Sequence, residues 1–137
     1  MSRALILALA TLLALDASTV VQAAEGESER ISTIRNNLPM EPLTVSVFSN
    51  NRVRGLLAVD LSLDLKNPDK RAQIEKILPR LRDRYITSLT RFAANRVEVN
   101  RALDLAALTQ LLQDVTDDVL GQQAANILIG GATVRRL

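Results

Sequence analysis

The sequence contains no cysteine, no histidine and no tryptophan. Without cysteine the chain cannot form a disulfide, use a thiolate nucleophile or carry a lipid on a cysteine. Without histidine it lacks Ser-His and Cys-His catalytic pairs and the commonest zinc ligand. Because no nucleophile–base pair or metal-ligand cluster remains, we expect no enzymatic activity, no cofactor, no metal and no small-molecule substrate.

Aromatic residues and excess charge are also scarce. The only aromatic side chains are Phe48, Tyr85 and Phe92, too few for a platform on which single-stranded nucleic acid could stack. Lys and Arg number 17 against 15 Asp and Glu, a formal net charge of +2 that does not indicate a nucleic-acid partner. A length of 137 residues allows one ordinary domain and a short additional segment.

The amino-terminal segment has the layout of a secretory signal peptide over residues 1–23. A basic start precedes an apolar run at residues 4–15. Val21 and Ala23 occupy the third and first positions before a possible cut between Ala23 and Ala24. This pattern predicts export followed by cleavage at that bond.

The alternative is a retained membrane anchor over residues 4–24, which has the length to span a bilayer. It would place Asp16 inside the membrane, at a cost of about 2.5–3.5 kcal/mol. We expect cleavage, and the rest of the chain is exported under either hypothesis.

Residues 24–42 contain glutamates, asparagines and prolines without a sustained hydrophobic period, which predicts a linker. Ile31, Ile34 and Leu38 are spaced for a short helix ending before Pro39, but so short a helix is marginal on its own. We expect a flexible spacer here and the folded domain over residues 43–137.

The domain begins with a predicted β-hairpin. Leu43, Val45 and Val47 alternate with polar residues as in a strand with one buried face, and residues 49–52 favour a turn. The second strand presents alternate apolar residues to the same buried face: Val53, Leu57, Val59, Leu61, Leu63 and Leu65. Asp60 and Asp64 are expected on its solvent face.

A helix follows, with Asn67 as cap and Pro68 and Asp69 suited to its first turn. Its apolar stripe consists of Ile74, Ile77, Leu78, Leu81, Tyr85, Leu89 and Phe92. Because the stripe keeps its phase across Pro79, we expect one kinked, continuous helix.

A second helix is predicted between Asp104 and Gly121, with a stripe of Leu105, Leu108, Leu112, Val115 and Val119. Residues 126–134 are apolar at both alternating sets, which predicts a strand that is covered on two sides or paired centrally. The pair Gly130-Gly131 indicates a bulge or a close backbone approach.

The order strand, strand, helix, helix, strand predicts a small two-layer α+β domain, in which an antiparallel hairpin and a closing strand pack on two helices. Helices are available to cover only one face of this sheet. A second subunit or a folded-over linker or loop could cover the other, and the sequence leaves both possibilities open.

Two charged groups are the candidate protein contacts. Lys76, Arg80, Arg84 and Arg91 lie on the polar side of the first helix, and we call them the basic ridge. They form either a solvated face or a contact for a protein or an anion.

Asp114, Asp117 and Asp118 crowd the end of the second helix, where the helix dipole disfavours carboxylates, and we call them the acidic cluster. No calcium-binding loop pattern accompanies them. We expect the basic ridge to compensate this cluster. The two groups also predict head-to-tail self-association, giving a ring or a filament.

The segment LPRLRDRYITSL, over residues 78–89, resembles a characteristic segment of the flagellar basal-body-associated FliL family. The resemblance extends over about residues 41–137. It implies a stomatin/prohibitin-like domain in the bacterial periplasm, associated with the inner membrane. It also implies ring formation and support of the flagellar stator, hence a role in motility and chemotaxis.

The chain departs from that family pattern in its closing strand, where Gly130-Gly131-Ala132 stands in place of frequent aromatic residues, and at Ser46, in place of a frequent asparagine. Almost nothing precedes the apolar amino-terminal run, where family members usually carry a cytoplasmic tail. A second hypothesis therefore stands beside the flagellar one: an exported, self-assembling scaffold or binding module of the same fold with no flagellar role.

Overall fold

The structure, a computed structural model, describes residues 18–137. Residues 4–15, on which the signal-peptide and anchor hypotheses depend, lie outside the described residues. The chain divides into two units, Met1–Ser32 and Thr33–Leu137. The elements are α1 (Ser18–Asn36), β1 (Asn37–Pro39), β2 (Leu43–Ser49), β3 (Arg52–Leu65), α2 (Arg71–Arg96), α3 (Leu105–Leu120) and β4 (Ala125–Arg136).

The segment predicted as a spacer, residues 24–42, takes regular structure instead. Helix α1 covers most of it, and β1 pairs antiparallel with β3 through Leu38↔Leu63. Leu38 is buried in the core, which explains why so short a strand is held in place. The folded unit therefore begins before residue 43. The cleavage position between Ala23 and Ala24 falls within α1, and cleavage stays a prediction.

The predicted hairpin is confirmed, and its second strand is the centre of the sheet. β3 pairs with β2 and β1 along one edge and with β4 along the other, always antiparallel. Asn50 and Asn51 have φ of 52° and 60°, the left-handed conformation that a two-residue hairpin turn requires and that asparagine tolerates.

Two irregularities interrupt the sheet. The register between β2 and β3 shifts beside Arg54, so Val53 pairs with Phe48 on the opposite face from the core and is 44% exposed. Its predicted place on the buried face was wrong, because one extra residue reverses strand alternation. The second shift leaves Gly130 unpaired opposite Asp60 and Leu61, which confirms the predicted bulge.

Helix α2 runs without a break through Pro79, as predicted. A single 3₁₀ turn, Pro68–Lys70, precedes it, and the Asn67 side chain accepts a hydrogen bond from the Asp69 N–H at 3.0 Å. Asp104 caps α3 through the Ala107 N–H at 3.0 Å, and Gly121 follows the end of α3 with a φ of 96°. Leu105, assigned to the apolar stripe of α3, is 52% exposed and does not pack against the core.

The fold is the predicted two-layer α+β arrangement. α2 packs on β2, α3 packs on β4, and both cover the face of β3 that carries Leu57, Leu63 and their alternate neighbours. Within the described residues β4 pairs only with β3 and lies at the sheet edge, with Leu128 49% exposed on the uncovered face. The expectation that this strand is paired centrally was wrong, and its outer face is uncovered within the described protomer. Its apolar outer residues face away from the helices.

Candidate functional site

The basic ridge lies on the exposed side of α2, opposite the residues that α2 buries. Lys76, Arg80, Arg84 and Arg91 are all exposed, whereas Leu81, Tyr85 and Leu89 on the other side are fully buried. Helical spacing produces this separation, because positions three or four apart share a face. The ridge is therefore accessible to a partner along most of α2.

The acidic cluster is held by neighbouring side chains. Gln110 donates to Asp114 at 2.8 Å, and Gln113 donates to Asp117 at 3.0 Å, both one turn earlier on α3. Asp118 accepts a hydrogen bond from Arg84 at 2.9 Å. In this pair the guanidinium of one ridge residue stands beside one carboxylate of the cluster, which the helix dipole disfavours.

The Arg84–Asp118 pair joins the two candidate surfaces within one protomer. Arg84 and Asp118 are thus already paired with each other, on side chains that remain more than half exposed. Lys76, Arg80 and Arg91 have no ion pair within residues 18–137. Any contact of the ridge with another molecule would depend first on these three residues.

Beneath this ion pair, the same two helices are joined by a buried hydrogen bond. The Tyr85 hydroxyl lies 2.5 Å from the Thr116 Oγ1, which itself donates to the Leu112 carbonyl at 2.7 Å. Because the Thr116 proton is used by that carbonyl, Tyr85 is the donor. Burial raises the pKa of Tyr85 to about 12. The nearby Asp117 carboxylate also raises this pKa, because it repels a phenolate. The hydrogen bond with Thr116 lowers the pKa in part, because the threonine hydroxyl can rotate and donate to a phenolate.

Gln113 connects α3 to β4 and was not singled out from the sequence. Its amide donates to the Ala125 carbonyl at 3.0 Å and accepts from the Ile127 N–H at 2.9 Å. The backbone groups of successive strand residues alternate in direction, and the Ala124 carbonyl bonds toward β3 by accepting from the Lys66 N–H. The Ala125 carbonyl and the Ile127 N–H therefore point away from β3. The Gln113 side chain therefore occupies the start of the outer edge of β4, as a neighbouring strand would.

Two arginines on the flank of α2 bind backbone carbonyls around β1. Arg82 donates to the carbonyls of Glu41 and Pro42 at 2.8 and 3.1 Å, and Arg71 donates to the Asn37 carbonyl at 3.0 Å. These bonds satisfy carbonyls on a connection that has little regular pairing of its own. Because the partners lie more than 30 residues away, only the three-dimensional structure identifies these arginines as structural.

The described part of the chain contains a cleft of about 940 Å³ at the hairpin end of the domain. It lies between the β2–β3 turn, the end of α2, the α2–α3 connection and the end of β4. Four arginines and two carboxylates line it: Arg54, Arg96, Arg101, Arg136, Glu98 and Asp104. None of these residues belongs to the basic ridge or the acidic cluster, and the sequence pattern did not reveal the cleft because stretches far apart in the sequence form it.

The described residues contain no group of three or more acidic, histidine or cysteine side chains placed to hold a metal ion. Among the helices of residues 18–137, none combines the length and apolar character needed to cross a membrane. Comparison with known proteins found no protein-family model and no curated protein that matches the chain.

Proposed function

We propose that this chain is a non-catalytic, FliL-like protein that supports the flagellar motor at the bacterial inner membrane through protein contacts. The observation that carries the proposal is the unbroken passage of α2 through Pro79, packed beside the β2–β3 hairpin. The resemblance over residues 78–89 implies this arrangement, with a second helix and a closing strand after it. The exposed basic ridge on the same helix supplies a surface for a protein partner.

The proposed contact surface includes three cations on α2 that have no ion pair within residues 18–137, and substitution of these residues tests the role in cells. Deleting the gene should reduce swimming in soft agar, and the wild-type gene should restore it. The variant Arg80→Glu/Arg91→Glu should restore swimming poorly, because it reverses two exposed ridge charges that have no ion pair within the described residues. The matched control Lys66→Glu/Lys70→Glu reverses two exposed charges outside the ridge and should restore it fully. Normal swimming after deletion would exclude the motor role.

A second candidate is an exported scaffold or binding module of the same fold without a flagellar role. The composition of β4 favours it, because Gly130 forms a bulge in an edge strand where the FliL family often has aromatic residues. For this candidate, deletion leaves swimming unchanged and alters another envelope property, such as resistance to detergent. An unchanged envelope together with impaired swimming would exclude it.

Export and processing are proposed together with either role. We expect cleavage between Ala23 and Ala24, so intact-mass analysis of protein from the envelope fraction should show a chain that begins at Ala24. A chain that retains residues 1–23 and fractionates with the inner membrane would instead support the anchor. Changing Ala23 to a bulky residue, Ala23→Phe, should block cleavage because the position before the cut requires a small side chain.

A further inference from the structure

We propose that the cleft at the hairpin end of the domain binds a polar molecule that carries an oxyanion group, a phosphate or a carboxylate. This site is separate from the basic ridge and does not depend on the flagellar proposal. The charges that line the cleft, the partners that its carboxylates already have and its volume all support such a site.

The side chains that line the cleft carry an excess of positive charge. Four arginines against two side-chain carboxylates give +4 − 2 = +2, and the main-chain carboxylate of Leu137, which also lines the cleft, lowers this excess to +1. These exposed arginines repel one another only weakly in water, and together they attract an anion into the cleft. The end of the α2 dipole explains a basic residue at Arg96, but Arg54, Arg101 and Arg136 lie outside helices.

Both side-chain carboxylates of the cleft already have a partner. Glu98 pairs with Arg101 at 3.3 Å, and Asp104 accepts the Ala107 N–H as the cap of α3. Arg136 donates to the Asn100 side chain at 2.9 Å, a neutral partner. Within the described residues the side chains of Arg54 and Arg96 have neither a hydrogen bond nor an ion pair. Their guanidinium groups are therefore available to an anion, which arginine binds through paired N–H donors.

The other side chains that line the cleft indicate what kind of molecule would carry the anionic group. Asn50, Asn95 and Ser49 add amide and hydroxyl groups, and Val47 and Phe48 add a limited apolar surface. A volume of about 940 Å³ exceeds what a bare phosphate would fill and falls within the usual range for small-molecule sites. A hydroxyl-rich molecule with one or more oxyanion groups matches this combination.

The test uses three hexose probes that differ in their anion: glucose 6-phosphate, glucuronate and glucose. Titration of the isotope-labelled full chain at low salt should shift amide signals from residues 95–101 and from the β2–β3 turn with the first two probes and not with glucose. Stronger binding of glucose 6-phosphate identifies phosphate as the preferred group, and stronger binding of glucuronate identifies carboxylate. Raising the salt should weaken either interaction.

The variant Arg54→Gln/Arg96→Gln should weaken binding of the preferred probe by about tenfold or more, the loss expected for charged hydrogen bonds. The control Arg80→Gln/Arg91→Gln removes two arginines outside the cleft and should bind as the wild type does. Thermal unfolding of both variants verifies that they fold, and Arg101→Gln replaces the first variant if it does not. Absence of shifts with both anions, equal shifts with glucose, or shifts confined to the ridge of α2 would overturn the proposal.

Discussion

The two faces of the sheet belong to the same strands but have opposite surroundings. On the covered face Leu57, Val59 and Leu63 are fully buried against α2 and α3. On the open face Asp60 is exposed, and Phe48 and Leu128 are each nearly half exposed. The covered face is uniformly apolar, whereas the open face mixes carboxylates with scattered apolar side chains.

This difference shows which residues stabilise the domain. Burial of apolar area is the dominant favourable term in folding, so the covered face and the helices on it carry most of the stability. The open face contributes mainly through backbone pairing and cross-strand contacts. Substitutions at neighbouring positions of β3 should therefore differ strongly in effect, according to the face on which they lie.

The largest expected effect comes from a charge placed on the covered face. Leu61→Asp or Leu81→Asp buries an unpaired carboxylate, which we expect to cost about 3–5 kcal/mol, a large part of the stability of a small domain. Asp60→Asn, one position away on the open face, should change little. Thermal or urea unfolding measures both, and equal shifts for Leu61→Asp and Asp60→Asn would show that the assignment of faces is wrong.

The next effect compares the same side chain on the two faces. Leu63→Ala should cost about 2–5 kcal/mol because it leaves a cavity under α2 and α3. Leu128 follows Ile127, the β4 partner of Leu63, and lies on the open face, so Leu128→Ala should change the free energy of unfolding by no more than about 0.5 kcal/mol. A large loss for Leu128→Ala would mean that the open face is covered in solution, and its dependence on protein concentration would identify a second copy as the cover.

Local signals in the sequence predicted much of this architecture. The hairpin turn, the cap at Asp104 and the end of α3 at Gly121 depend on residues within a few positions, so their patterns are visible without the fold. Val53 was misplaced because a bulge reverses the alternation by one residue. β1, the Gln113 bonds to β4 and the arginine-lined cleft depend on residues far apart in sequence, and no local period records them.

The interior of the helical layer has its own test, because Tyr85 is the only tyrosine and tryptophan is absent. Burial raises the pKa of Tyr85 in the folded protein above its pKa in the unfolded chain. Ionisation of the Tyr85 hydroxyl therefore favours the unfolded chain, and the neutral hydroxyl contributes to the stability of the folded state. That contribution is complete below about pH 10 and is lost as the pH rises toward about 12, up to roughly 2–3 kcal/mol. Ultraviolet absorbance of tyrosinate reports this residue alone.

The expected outcome is a titration near pH 12 in the folded protein and near pH 10 in denaturant. Tyr85→Phe should remove this part of the alkaline loss of stability, while its smaller effect at neutral pH reflects only the lost hydrogen bond to Thr116. A titration at the ordinary value in the folded protein would contradict the buried Tyr85–Thr116 contact.

The smallest effects on folding, and the most informative about assembly, concern the basic ridge. Arg84→Glu removes the exposed pair with Asp118 and should cost the monomer no more than about 1 kcal/mol. Arg80→Glu breaks no ion pair within the described residues and should leave the monomer unchanged. Arg84→Glu tests a charge that is paired within the protomer, whereas Arg80→Glu tests a charge that is available for a contact between protomers.

If the chain associates head to tail, attraction between ridge and cluster sets the register of the contact, while apolar burial provides most of the affinity. Arg80→Glu should then reduce the mass seen by light scattering at low salt as much as Arg84→Glu does, and Arg80→Glu/Arg84→Glu should reduce it further. Adding Asp114→Lys and Asp118→Lys should restore part of the assembly, because reversed charges attract again across the contact. A wild-type monomer at high concentration and low salt would rule this contact out. So would a loss confined to Arg84→Glu, because the Arg84–Asp118 pair would then act only within its own protomer.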